Sequence, residues 1–382
     1  MDQKLFNDFR GNNKLYHPNI NILENKVSLH LNESAYPPPN KCIDTISGMS
    51  QIRLHQYERG GTLPLEKKLA DIHNVSYKNI LIDNGSCEVL KHIIFSLNEN
   101  CHKVLLPING WAYNNKLMFL KNLVTDYYEL DCNDEIGSYN FNINNIKYHI
   151  DIFEPDVLIL VTPNAFSGNI MSRYELIDIL EYCDSNTLII VDQAYSEYSY
   201  NDDIVVSELI QKYQNLVFTR TLSKFYALAN IRIGYAISNE KNINYFKHYS
   251  SVFGASGVSQ AIACNALSDL EYYNRIKQKI VETRTCFIQE VNKLKNFIAY
   301  TSEANFVLVK VIKEDATCVI EEVYNQGIVL GSCRKYGLDN HIRVTIGDDE
   351  TMSRLLNILK RLDVDTNERV TSGSLALNAF LG

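Results

Sequence analysis

The 382-residue chain is 46% hydrophobic with a net charge of -8, enough apolar residue for a large core and about two domains. No basic block marks a nucleic acid or an anionic membrane surface as a partner, and no apolar run approaches the roughly 20 residues of a membrane span. Nine cysteines without a CxxC pair or metal-ligand spacing, and a start, MDQKLFNDFR, without a signal-peptide core, predict a cytoplasmic protein that holds no metal.

In chain order, residues 1–40 are predicted as an arm that joins the C-terminal part, with Asn32 in the stretch LNESAYPPP. Residues 41–265 alternate strand and helix patterns, which predicts a large α/β domain with a mainly parallel sheet flanked by helices. After the Gly60-Gly61 turn, Pro64 opens a helix. The segment ILIDNGSCEVL is a strand followed by Asn84-Gly85-Ser86 at the start of an amphipathic helix. Such a start is an anion site in which Gly85 permits close approach, and ordinary capping by Asn84 or Ser86 is an equally good reading. In PINGWAY the only tryptophan, Trp111, follows a strand end, where it either stacks on a flat ring or fills the core.

Three further strand ends follow. DVLILVTPNAFS stops at Thr162-Pro163-Asn164, NTLIIVDQAYSEY ends on Asp192 with Tyr195 beyond it, and the brief strand Leu216–Val217–Phe218 leads into a loop carrying Thr221, Ser223, Lys224 and then Arg232. In open α/β sheets ligands bind beyond the carboxyl ends of the strands, so these residues share one crevice. Each has a plainer role of its own: a surface lysine, a capping aspartate, an Asx-turn asparagine, a packed tyrosine. Together they match the needs of pyridoxal 5′-phosphate: an amine for its imine, a carboxylate for its ring nitrogen, donors for its phenolic oxygen, and hydroxyl or cationic partners for its phosphate.

A long helical stretch then opens a smaller α/β C-terminal domain, residues 266–363, with strands ANFVLVKV, GIVL and HIRVTIG, and residues 364–382 form a tail. Arg343 alternates with Ile342 and Val344, so it faces away from the core, as an exposed strand arginine or an anion ligand.

The succession NGS, GWAY, TPNAFSG, VDQAYSEY, TLSKFYALANIRIG and HIRVTIG resembles the fold type I pyridoxal-phosphate aminotransferases, and in particular the histidinol-phosphate aminotransferase family, from about Leu31 to Leu362. The resemblance implies that Lys224 forms the imine, that Asp192 pairs with the ring nitrogen, and that Asn164 and Tyr195 hold the phenolic oxygen. It implies phosphate contacts from Gly85, Ser86, Thr221, Ser223 and Arg232, with Cys87 standing where the family has an acid. Trp111 would be the stacking ring, with Tyr113 its rival. Tyr57 would reach the phosphate of a partner subunit, implying a homodimer with shared sites. Arg343 and Asn32 would bind a small anionic amine or amino acid. Gly331 stands where a first C-terminal arginine is expected; Arg334 is the candidate to replace it, and without it histidinol phosphate would be a poor substrate. The expected reaction is transamination. A decarboxylase of phosphorylated amino acids on the same scaffold is the alternative, and a cofactor-binding transcriptional regulator would need a DNA-binding domain that some 30 residues before the match do not supply.

Overall fold

A computed structural model describes residues 25–48, 55–58, 60–313 and 315–364. Its strands in chain order are β1 (Val27–Leu29), β2 (Ile80–Asp83), β3 (Lys103–Pro107), β4 (Val124–Tyr128), β5 (Leu130–Asn133), β6 (Ser138–Phe141), β7 (Val157–Val161) and β8 (Leu188–Asp192). They continue with β9 (Leu216–Thr221), β10 (Gly234–Ser238), β11 (Phe297–Ala299), β12 (Phe306–Val311), β13 (Ile328–Ser332) and β14 (His341–Thr345).

The larger sheet has seven strands in the order β2-β10-β9-β8-β7-β3-β4. From β9 to β4 every pairing is parallel. Parallel strands covered by helices are buried on both faces, which is why β7 and β8 read as unbroken apolar runs. The exception is β10, antiparallel to both β2 and β9. After β9 the chain folds back on itself, with Leu222 N donating to Ile233 O at 3.0 Å, so the next strand returns beside the last without a crossover.

The second sheet has the order β1-β13-β14-β12-β11. Its edge strand β1 comes from the start of the chain and pairs in parallel with β13, Val27 against Ile328. The Leu270–Val291 helix buries Tyr273, Ile276, Ile280, Arg284, Phe287 and Val291 as it passes between the two sheets' contributions to one continuous core. The β5–β6 hairpin docks on the second sheet: Tyr300 Oη donates to Asp134 Oδ1 at 2.6 Å, and the Tyr139 and Tyr300 rings meet edge to face at 4.8 Å. The expected brief strand 216–218 extends to Thr221, because Thr219 pairs with β8 and residues 219–221 all pair with β10. Residues 1–24 of the expected arm and 365–382 of the expected tail lie outside the described residues.

Candidate active site

The register of the large sheet assembles the site. Asp192 is the last residue of β8 and stands opposite Thr219 on β9, so the carboxylate and the Thr219 hydroxyl share a face. Asp192 is only 6% exposed. Burial pushes its carboxyl up from 3.8 to about 6, against a hydrogen bond from the Ala194 amide at 3.2 Å. Among the described residues it has no ion-pair partner, a costly state for a buried carboxylate unless a cation completes it.

Lys224 follows β9 in the turn that doubles back. Its Nζ donates to the Leu31 carbonyl at 2.7 Å. Burial, then the neighbouring Arg343 charge, lowers its ammonium from 10.5 to about 8, which favours the neutral, nucleophilic amine. Tyr195 is buried and accepts a hydrogen bond at its Oη from Asn32 Nδ2 at 3.0 Å. Asn32 is itself buried, adopts φ 53° and is braced by Thr345 Oγ1, which accepts from its amide at 3.0 Å. The arm that supplies β1 therefore ends inside the site.

Asn164 forms the Asx turn that was one of its two sequence readings. Its Oδ1 accepts from the Phe166 and Ser167 amides at 2.9 and 3.3 Å, an Asx turn that commits the oxygen and leaves the amide nitrogen as the end available to a ligand.

At the expected anion site, Gly85 is the N-cap of the Ser86–Ser96 helix, with φ 88° and ψ 162°, and no side chain caps that helix. Asn84 instead donates to Asp83 Oδ1. The capping alternative thus falls away, and the first-turn N–H groups of Ser86 and Cys87 have no side-chain acceptor. A Cβ on Gly85 would come 2.5 Å from Arg232 Nη2, so the guanidinium lies directly over this helix start. Thr221 Oγ1 accepts from the Ser223 amide at 3.1 Å and shapes the loop beside it. Cys87 carries a thiol raised chiefly by burial, with Arg232 opposing. Trp111 caps the Ala112–Leu120 helix and packs against Tyr113 at 4.9 Å, so both ring candidates sit at one strand end.

On the second sheet, Arg343 Nη1 donates to Ala165 O at 2.9 Å and Nη2 to His30 O at 3.4 Å, and its guanidinium lies 5.4 Å from the Phe306 ring centre. Ile342 and Val344 are fully buried on the other face, as the alternation predicts. Gly331 is the register partner of Arg343. Arg334 is not brought to this cluster: its guanidinium bonds to Asp315 and Asp339 at the surface. Tyr57 is 72% exposed and stacks on Phe253 at 3.8 Å, outside the Lys224 cluster of its own chain.

Sequence reasoning missed Thr219, Thr345 and the Leu31 carbonyl. Parallel register from Asp192 points to Thr219, and period-two alternation from Arg343 points to Thr345. A backbone carbonyl carries no side-chain signal.

The residues present fit pyridoxal 5′-phosphate. The uncompensated Asp192, the neutral-leaning Lys224 amine and the uncapped helix start under Arg232 answer its ring nitrogen, its aldehyde and its phosphate. A doubly wound sheet with such a constellation at its carboxyl edge defines a cofactor-dependent α/β enzyme. The family model described as aminotransferase class I and II matches residues 24–359, and the chain belongs to that family. It is an enzyme, a transferase, whose cofactor is pyridoxal 5′-phosphate.

Among curated relatives, the histidinol-phosphate aminotransferase of Methanocaldococcus jannaschii is 28% identical over 343 residues, covering 89% of this chain and 90% of the relative. Histidinol-phosphate aminotransferase 1 of Oceanobacillus iheyensis is 29% identical, covering 88% and 91%. Among solved structures, the histidinol-phosphate aminotransferase from Clostridium acetobutylicum has the same fold, with TM-score 0.79 at 23% identity, covering 88% of this chain and 99% of that one.

Proposed function

We propose that this chain moves an amino group between a small anionic amine or amino acid, bearing a phosphate or a carboxylate, and a carbonyl acceptor. The observation that carries the reading is the pairing, in one crevice, of a buried carboxylate lacking a cation with a lysine whose ammonium is lowered from 10.5 to about 8. When bound, the cofactor ring supplies an electron sink for charge developing at the substrate α-carbon. Asp192 would hold the proton on the ring nitrogen. Tyr195, oriented by Asn32, and the Asn164 amide would hold the phenolic oxygen. Ser86, Thr221, Ser223 and Arg232 would hold the phosphate. Lys224 would carry the cofactor and, as general base, would accept the proton of the substrate α-carbon. Arg343 receives the substrate's anionic group through its planar fork, giving up its carbonyl contacts to do so.

The phosphorylated form of the donor draws support from the names of the relatives, and Arg343 is the guanidinium placed to bind it. With Arg334 engaged by Asp315 and Asp339, histidinol phosphate is expected to be a poor donor beside smaller phosphorylated amines. The odd number of cysteines, in no patterned spacing, supports a cytoplasmic location. We further read the functional unit as a homodimer in which Tyr57 completes the partner's phosphate site.

The test is a panel of amines, phosphorylated amines and amino acids offered to the holoenzyme, with the cofactor spectrum and released carbon dioxide followed together. Spectral conversion without the gas is expected for anionic donors. Gas release with one of them would make the enzyme a decarboxylase. Lys224→Ala is expected to lose nearly all turnover, since general-base assistance is worth roughly 10²–10⁴-fold. Arg343→Lys is expected to raise KM for the anionic donor far more than it changes cofactor affinity. Efficient turnover of neutral amines, unchanged by that substitution, would remove Arg343 from the substrate site.

A further inference from the structure

Behind the strand ends that carry Asp192 and Lys224 lies a buried polar cluster that no step above uses. Strand alternation puts Arg220 on the face of β9 opposite to Thr219 and Thr221, and it is 8% exposed. Its Nε and Nη2 both donate to Gln193 Oε1, at 3.2 and 2.7 Å, and its Nη1 donates to Glu197 Oε1 at 3.4 Å. Gln193 directly follows Asp192, and Glu197 lies two residues after Tyr195 in the turn Ser196–Tyr198. On the other side, the register partner of Arg220 is Tyr235 of β10, whose hydroxyl meets His73 Nε2 at 2.9 Å. Burial first, and the Arg220 charge second, hold that imidazole well below its ordinary range, so it stands there neutral.

One guanidinium thus gathers the ends of three adjacent strands from the reverse face of the sheet. Gln193 Nε2 is buried without a partner, so among the described residues the Gln193 side chain is oriented by Arg220 alone. A buried ion pair of this kind is a weak source of net stability, because well-packed apolar residues of similar volume often serve as well or better. What a rigid five-donor fork supplies instead is fixed geometry.

We propose that Arg220 is a positioning residue for the transfer reaction, setting the Asp192–Tyr195 segment against the turn that carries Lys224. The proposal rests on the placement of the cofactor between those residues. It extends the site to a second layer held through the sheet, where small displacements of the reacting groups are costly to rate.

Two variants test it. Arg220→Lys keeps the buried charge beside Glu197 but loses the fork, and the double variant Arg220→Met with Glu197→Gln removes both charges without leaving either one alone. For each, cofactor affinity is measured by fluorescence titration of the apoprotein, kcat and KM with the best donor, and Tm without cofactor. The expected result is a fall in kcat of about tenfold or more with donor KM nearly unchanged, and cofactor affinity weakened about tenfold. Wild-type kcat and cofactor affinity in both variants, with only Tm lowered, would overturn the proposal and leave Arg220 a structural residue. Should the double variant not fold, Arg220→Lys alone decides between the same two outcomes. Cofactor uptake by the wild-type protein in the same titration checks the underlying site separately, and its absence would overturn both readings.

Discussion

Asp192 is the residue where function works against stability. Its folded-state carboxyl is raised from 3.8 to about 6 by burial, so ionising it costs more in the folded apoprotein than in the unfolded chain. The associated stability is fully present below about 3.8 and lost as the pH rises through about 6, a cost near neutrality of roughly 3 kcal/mol. Asp192→Asn removes that cost. The expected outcome is an apoprotein with higher Tm than wild type at pH 7 and little difference below pH 4, together with kcat reduced on the order of 10²-fold. Thermal scans of the apoprotein at the two pH values check the first half, and steady-state kinetics the second. Lys224 gives the complementary pH signature. Only the neutral amine can attack the cofactor aldehyde, and its ammonium titrates at about 8 rather than 10.5. The rate of cofactor uptake by the apoprotein is therefore expected to rise with pH and level off above about 8. A rate still climbing steeply at pH 10 would mean the lysine is not desolvated.

Among elements, the helix Ser86–Ser96 depends on two glycines for different reasons. Gly85 holds φ 88° with ψ 162°, a region in effect closed to other residues. A methyl group there would also drive into Arg232. Gly85→Ala is expected to cost about 1–3 kcal/mol and to weaken cofactor retention by moving the guanidinium, read out by thermal denaturation and cofactor titration together. Gly234 instead lies where β10 passes under the helix start, and a Cβ there would overlap the Ser86 amide nitrogen and the Gly85 carbonyl carbon. Those are backbone atoms that cannot swing aside, so Gly234→Ala should be the more damaging substitution.

The same elements show what could be read from the chain. β7 and β8 were legible because strands buried on both faces are continuous apolar runs, and the chemistry stands where those runs stop. β10 was not: a strand that returns antiparallel beside β9 depends on a hydrogen-bonded turn, Leu222 to Ile233, that leaves no compositional mark. Nor were β4 and β5, whose partly exposed residues carry little periodic signal, nor β6, which is only four residues long. Arg232 was found by its spacing from Lys224, yet its placement over Gly85 follows from a left-handed backbone at φ 58° rather than from a strand edge. Arg220 carries no such mark, because a single charged residue inside an apolar strand discloses its partners only when the neighbouring strand and turn are in place.

At the scale of the whole molecule, the exposed Tyr57–Phe253 stack, with Val252 beside it at 91% exposure, is the surface on which the proposed homodimer depends. Sedimentation should give a dimer. Tyr57→Phe should weaken cofactor retention while leaving Tm unchanged, and heterodimers pairing a Tyr57 variant with a Lys224 variant should regain about one working site. Heterodimers that form but recover no activity would separate Tyr57 from the partner's site.

The parallel pairing of β1 with β13 sets the order of events at birth. Val27 and Ile328 lie roughly 300 residues apart in the chain, so the first of the described strands waits for β13 before it has a neighbour. Leu31 and Asn32, which meet Lys224 and Tyr195, hang from that strand. On the ribosome the large sheet can therefore close while its crevice still lacks one wall, which arrives only when the segment carrying Leu31 and Asn32 meets β13.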